Sequence, residues 1–178
     1  MTNWLPIWLI WGLIAAFCYA SNAITNKVVT SEKYLGIGVL AASLLMLIGI
    51  CLTFLAYFLG TQANLTPSIK IGGIILAILF TAYLLYAVII GLNVNPLPLT
   101  IGLGLLQGIF WGVGMIATFL AWQTGVDAAR LVPIYNTNTL IAVAIGLILL
   151  HEVPVATERI KVIAGAILVV IGGILVAG

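Results

Sequence analysis

The chain has 178 residues, 64% of them hydrophobic and only 6% charged, with a formal net charge of +2; an ordinary soluble domain is about 45–50% apolar and about 25% charged. Four acids and six Lys/Arg cannot solvate the surface of a globule this size, and so small a net charge offers phosphates no basic patch, which excludes a water-soluble fold and nucleic-acid binding. With only two cysteines, Cys18 and Cys51, both inside apolar runs, a disulfide scaffold is excluded too.

The charges are clustered, and the gaps between them give the elements. No charged side chain falls in positions 1–26, 34–69, 71–126, 131–150 or 162–178, and a spanning helix needs about 20 mostly apolar residues. The first span is Leu5–Ala23. Its length, the lack of a preceding Lys or Arg and the lack of a small-residue cleavage site separate it from a signal peptide. Trp4, Trp8 and Trp11 place its start at an interface, as aromatic belts do. The second span is Tyr34–Gly60, followed by a polar loop, Thr61–Ser68. The long run after Lys70 holds two spans, Ile71–Leu92 and Leu99–Trp122, with Asn93, Asn95, Pro96 and Pro98 marking the break. Leu131–Leu150 and Val162–Ala177 complete an all-α, polytopic transmembrane helix bundle of about six spans in one domain, 1–178. Strands of a barrel would alternate over roughly 10 residues rather than run continuously apolar.

Loop charges bear on orientation. One side receives Lys27, Lys33, Arg159 and Lys161, and the other Lys70 and Arg130. Counting Lys and Arg favours both termini outside the cytoplasm. So small a bias leaves dual insertion open.

No Asp, Glu, Lys or Arg lies in the middle of a span, whereas intramembrane ionisable groups ordinarily mark proton and ion pathways. Asp127, His151, Glu152 and Glu158 stand at span ends, without metal-ligand spacing and without a nucleophile beside a base. The expectation is a protein that is not an enzyme and carries no cofactor or metal.

The polar residues that enter the spans are neutral. The densest group is Tyr135-Asn-Thr-Asn-Thr139, just after Pro133. An amide without a partner in hydrocarbon costs several kcal/mol, so Asn136 and Asn138 must face protein or water. On a continuous helix they diverge by about 200°, which puts Tyr135, Asn138, Ala142 and Gly146 on one stripe and Asn136, Thr139 and Val143 on another. These amides act either as helix–helix glue or as the lining of a cavity for a polar, uncharged or zwitterionic solute. A proline inside the helix would free a carbonyl and loosen that turn. The fourth span carries Gly104, Gly108 and Gly112 beside Gln107 and Trp111, a strip suited to close packing or to a solute slot. Gly12, Ala16 and Ala20, followed by Ser21 and Asn22, make a similar strip in the first span, and Gly165, Gly172 and Gly173 one in the last. Self-association is expected from so many close-packing faces.

Ala128-Ala-Arg130, Val132-Pro-Ile134, the close on His151-Glu152-Val-Pro154, then Ile163-Ala-Gly165 and Gly172-Gly173 resemble the EamA-type repeat of the drug/metabolite transporter superfamily. There a proline opens the fourth helix, an acid, commonly after glycine, closes it, and a glycine-containing fifth helix follows. His151 stands where that glycine is usual. Leu105–Asp127, with Gly125-Val-Asp127, resembles the third helix, and Tyr19-Ala-Ser-Asn22 with Lys27 is similar to the end of the first. Residues 100–178 carry the match best. Ile71–Leu92 is an extra helix on a five-helix repeat.

The resemblance implies a half-size transporter in the plasma membrane of a prokaryote. It would move a small polar organic solute as a homodimer or with a paralogous partner. Asn22, Gln107, Asn136 and Asn138 would supply hydrogen bonds, and Trp111 and Tyr135 walls. In small multidrug transporters of the superfamily a first-helix Glu couples protons; here Ser21 and Asn22 stand near that region and no acid does. The alternative is a non-transporting subunit packed into a larger membrane complex.

Overall fold

The computed structural model describes residues 6–62, 64–92, 98–153 and 155–177. Trp4, the Asn93, Asn95 and Pro96 break and Pro154 lie outside them, as does the start of the first expected span. Every regular element among the described residues is helical: α1 Ile7–Thr30, α2 Val39–Thr61, α3 Pro67–Tyr86 continued by a π-helical turn Ala87–Gly91, α4 Pro98–Gln123, α5 Ala128–Tyr135, α6 Asn138–Ile148 and α7 Ala156–Ala177. Among the described residues, five segments are long and apolar enough to cross a bilayer: α1, α2, α3 with its π turn, α4, and α5 with α6. The 22-residue α7 is of spanning length as well and carries Glu158, Arg159 and Lys161 in its first two turns. The protein is an integral membrane protein of about six helical spans.

The helices overrun the apolar windows. The first runs to Thr30 rather than Ala23, and the last starts at Ala156 rather than Val162. Helical hydrogen bonding does not stop where an apolar run does, so Asn26 and Lys27 continue α1 beyond its apolar window. The second starts late, at Val39, because 31–38 is a capping turn. Gly36, at φ +59°, donates its N–H to Ser31 O at 3.0 Å, while Ile37 and Leu35 donate to the carbonyls of Val29 and Val28. A left-handed glycine of this kind closes a helix by satisfying its last carbonyls.

The chain forms two compact units, Thr25–Gly112 and Met1–Ile24 with Val113–Gly178. In the first, Val29, Ile37, Ala41, Ala42, Leu45, Ile48 and Val88 form the core. The strip on α4 meets α2 backbone to backbone. A Cβ on Gly108 would run into the carbonyl oxygen of Met46 and lie 2.9 Å from Gly49 Cα, and one on Gly104 would lie 2.9 Å from Leu45 Cβ. One on Gly112 would lie 2.9 Å from Thr53 Cβ, whose hydroxyl donates to Gly49 O. Close approach through small residues gains dispersion where lipid gives no hydrophobic drive. The third helix packs on α2, yet none of its residues is buried.

In the other unit α7 packs on α5 and α6. Gly12 of α1 lets Leu131 and Ile134 of α5 approach, and Gly114 of α4 lets Tyr19 and Cys18 approach. The sixth helix ends at Ile148. Beyond it His151 takes φ +52°, the left-handed conformation glycine adopts freely and a β-carbon resists. Glu152 N then donates to Gly146 O at 3.3 Å. Its carboxylate lies beside Gly146, 2.9 Å from where a Cβ there would sit, level with the last turn of α6. His151→Gly is expected to stabilise the protein by about 0.5–1 kcal/mol, read as a higher unfolding temperature in detergent.

Candidate functional site

The fifth expected span, Leu131–Leu150, is not one continuous helix. It opens at Ala128, with Pro133 inside α5, where no N–H is available to the carbonyl of Ala129. It then breaks at Asn136–Thr137. The cause lies in Thr137: its N–H and its Oγ1 both donate to Ile134 O, at 3.1 and 2.7 Å. That carbonyl is the acceptor the N–H of Asn138 would use in an uninterrupted helix. A threonine hydroxyl competing for a backbone carbonyl is a known way to bend helices. The next turn restarts on tight bonds, Thr139 N to Asn136 O at 3.2 Å and Leu140 N to Thr137 O at 3.0 Å.

The restart borders a cleft of about 280 Å³ lined by Tyr19, Ala20 and Ala23 of α1 and by Asn138, Thr139, Ala142 and Val143 of α6. Asn138 stands midway along Ala128–Ile148, and Tyr19 midway along Ile7–Thr30. The lining draws on both stripes expected of a straight helix, Asn138 and Ala142 from one, Thr139 and Val143 from the other. On α6 these four positions lie within about 140° of one another, so the two stripes are adjacent sides of one face.

Tyr19 is held from three directions. Its hydroxyl is 3.1 Å from Thr118 Oγ1 and 3.2 Å from Met115 Sδ, and its ring meets Tyr135 edge to face at 5.9 Å and 77°. Because Thr118 Oγ1 donates to Gly114 O at 2.9 Å, the Tyr19 hydroxyl is the donor in this group. The ring forms the cleft wall. On the opposite side Thr139 Oγ1 donates to Asn138 Oδ1 at 3.3 Å.

The six residues singled out from the sequence fall in both units. Asn138 lines the cleft, and Tyr135 supports it through Tyr19. Asn136 caps α5 and is exposed. Asn22, half-buried on α1, is not part of the lining. Gln107 and Trp111 belong to the unit Thr25–Gly112. There Gln107 is buried and its Nε2 donates to Ala42 O at 2.7 Å, a bond that ties α4 to α2, while Trp111 is half-buried. Tyr19, Ala20, Ala23 and Thr139 were not singled out as site residues. Tyr19 sits in an apolar run, and only its partners some hundred positions away distinguish it.

Thr137→Val removes the competing hydroxyl at nearly constant volume. Asn138 N–H should then regain Ile134 O and the cleft should narrow. In a cysteine-free background carrying Asn138→Cys, labelling by a water-soluble maleimide is expected to slow at least several-fold when Thr137→Val is added.

Comparison with protein-family models, with curated proteins and with solved structures finds no match to this chain.

Proposed function

We propose that this protein is a half-size membrane transporter of the drug/metabolite type, moving a small polar organic solute as a homodimer or beside a paralogous subunit. The observation that carries the reading is the helix break at Asn136–Thr137 beside a cleft halfway along its span. Irregular backbone at membrane depth is tolerated where it is buried in protein or lines a cavity, and secondary transporters place their substrates beside such discontinuous helices near the midplane. Dimerisation has support on α7: a Cβ on Gly165 or on Gly172 would meet nothing within 4 Å, and residues seven apart share a helix face. That leaves two open glycine positions, with the exposed Leu168 and Val169 between them, on the face offered to a second copy.

Flux measured in proteoliposomes tests the reading. Purified protein is expected to move at least one member of a metabolite pool, with Gly172→Leu lowering both the dimer fraction and the flux. Absence of flux of any solute, in protein that still elutes as the native species, overturns it. The second reading, a non-transporting subunit of a larger complex, draws on α3, which buries no residue in this chain; co-purification with one stoichiometric protein in mild detergent would favour it.

A further inference from the structure

We infer that the cleft between α1 and α6 takes an uncharged amphipathic solute bearing one hydroxyl or carboxamide group on a short apolar body. The inference rests on the transporter reading only for the word solute; the binding chemistry stands by itself. Among the described residues its lining has no acid or base: Tyr19, Ala20, Ala23, Asn138, Thr139, Ala142 and Val143. An ion entering it would lose water without gaining a counter-charge, the most unfavourable way to bury charge.

The polar atoms narrow the class further. The Tyr19 hydroxyl proton is directed to Thr118 and Met115, so that residue offers the cleft a ring. The Thr139 hydroxyl proton goes to Asn138 Oδ1. What the polar edge retains for a guest is the Asn138 Nδ2 donors and the lone pairs of Thr139 Oγ1. A guest must therefore accept a hydrogen bond and donate one from the same small group. A hydroxyl or a primary amide does both; a ketone or an ether only accepts. The remaining wall, Ala20, Ala23, Ala142 and Val143, is apolar and packs against an alkyl portion. At about 280 Å³ the cleft is at the small end of ligand pockets, which run from about 300 Å³ upward, so the alkyl portion is short.

The test uses the full chain in lipid nanodiscs with pentanamide, pentanoate and pentylammonium at neutral pH, three guests of nearly equal size and different charge. Binding is followed by titration calorimetry and by the shift in unfolding temperature. Pentanamide should bind saturably, about tenfold or more tighter than either ion. Asn138→Leu or Thr139→Val should weaken it about tenfold, the scale of one lost polar contact, and Thr139→Ser should restore it. Equal binding of an ion, or no effect of either substitution in protein that still elutes as the native species, overturns the inference. Selective amide binding without flux of any solute defeats the transporter reading and leaves the site; flux of a charged solute without amide binding does the reverse.

Discussion

Gly108→Leu is expected to be the most damaging single substitution in the chain, costing about 3 kcal/mol or more and leaving little folded protein after extraction. Even one carbon at this position would meet the carbonyl oxygen of Met46 and approach the Cα of Gly49 and the N of Ile50 at 2.9 Å. Those atoms are backbone and cannot turn aside as a side-chain tip can. Relief requires α4 to withdraw from α2. Withdrawal strips the contacts around Leu45, which is fully buried, and stretches the Gln107 to Ala42 hydrogen bond, now 2.7 Å. Overpacking typically costs about 1–3 kcal/mol, and here packing and hydrogen bonding are lost together. Gly102→Leu on the same helix is the control, since a Cβ there has no neighbour within 4 Å; its effect should stay within about 0.5 kcal/mol. Thermal unfolding of both variants in one detergent, with wild type alongside, decides it. Equal behaviour of the two would mean that the α2–α4 contact is not what holds this unit.

The helical spans were legible because hydrocarbon permits so few alternatives. With ten charged residues confined to short stretches, long uncharged runs can only be helices whose backbone satisfies itself. Their ends were less legible, as α1 and α7 show. Both continue through Lys27 or Glu158-Arg159-Ile-Lys161, residues that fold into a helix in water as readily as in lipid. The glycine strip on α4 was visible as spacing, but its partner was not. Gly49 is one glycine in a run of Leu and Ile, and it becomes half of a contact only when Gly108 is laid on it. The broken helix was partly legible. Tyr135–Thr139 stands out as a polar cluster in an apolar run, yet periodicity carries a straight helix through it. The break depends on which proton reaches the Ile134 carbonyl first, and a threonine in a helix gives no sign of that in composition. Tyr19 was the least legible part of the cleft. Its role is set by Met115, Thr118 and Tyr135, long-range neighbours that no local pattern encodes.

Two amides that look equivalent in the sequence, Gln107 and Asn138, should separate cleanly when each is replaced by Leu. In the unit Thr25–Gly112 the Gln107 side chain is 1% exposed and gives its Nε2 to Ala42 O. Its replacement removes a helix–helix hydrogen bond, while the Ala42 carbonyl keeps its place in the α2 ladder, a loss of about 1–2 kcal/mol. The flux carried by each molecule that remains folded should be unchanged. Asn138 is half-buried at the start of α6, and its Oδ1 accepts from Thr139 Oγ1 at 3.3 Å, a contact within α6 itself. Leucine is nearly isosteric there and a better helix former, which makes Asn138→Leu neutral or slightly stabilising. On the proposed transporter function, its cost falls on the solute. The cleft would lose the Asn138 amide donors, and flux in proteoliposomes should drop at least tenfold at subsaturating solute. Unfolding temperature and flux per folded molecule, measured on both variants, should thus move in opposite patterns. If Asn138→Leu loses stability and keeps its flux, Asn138 is helix glue and the cleft is a packing defect; if Gln107→Leu loses flux at full stability, the solute path runs through the other unit.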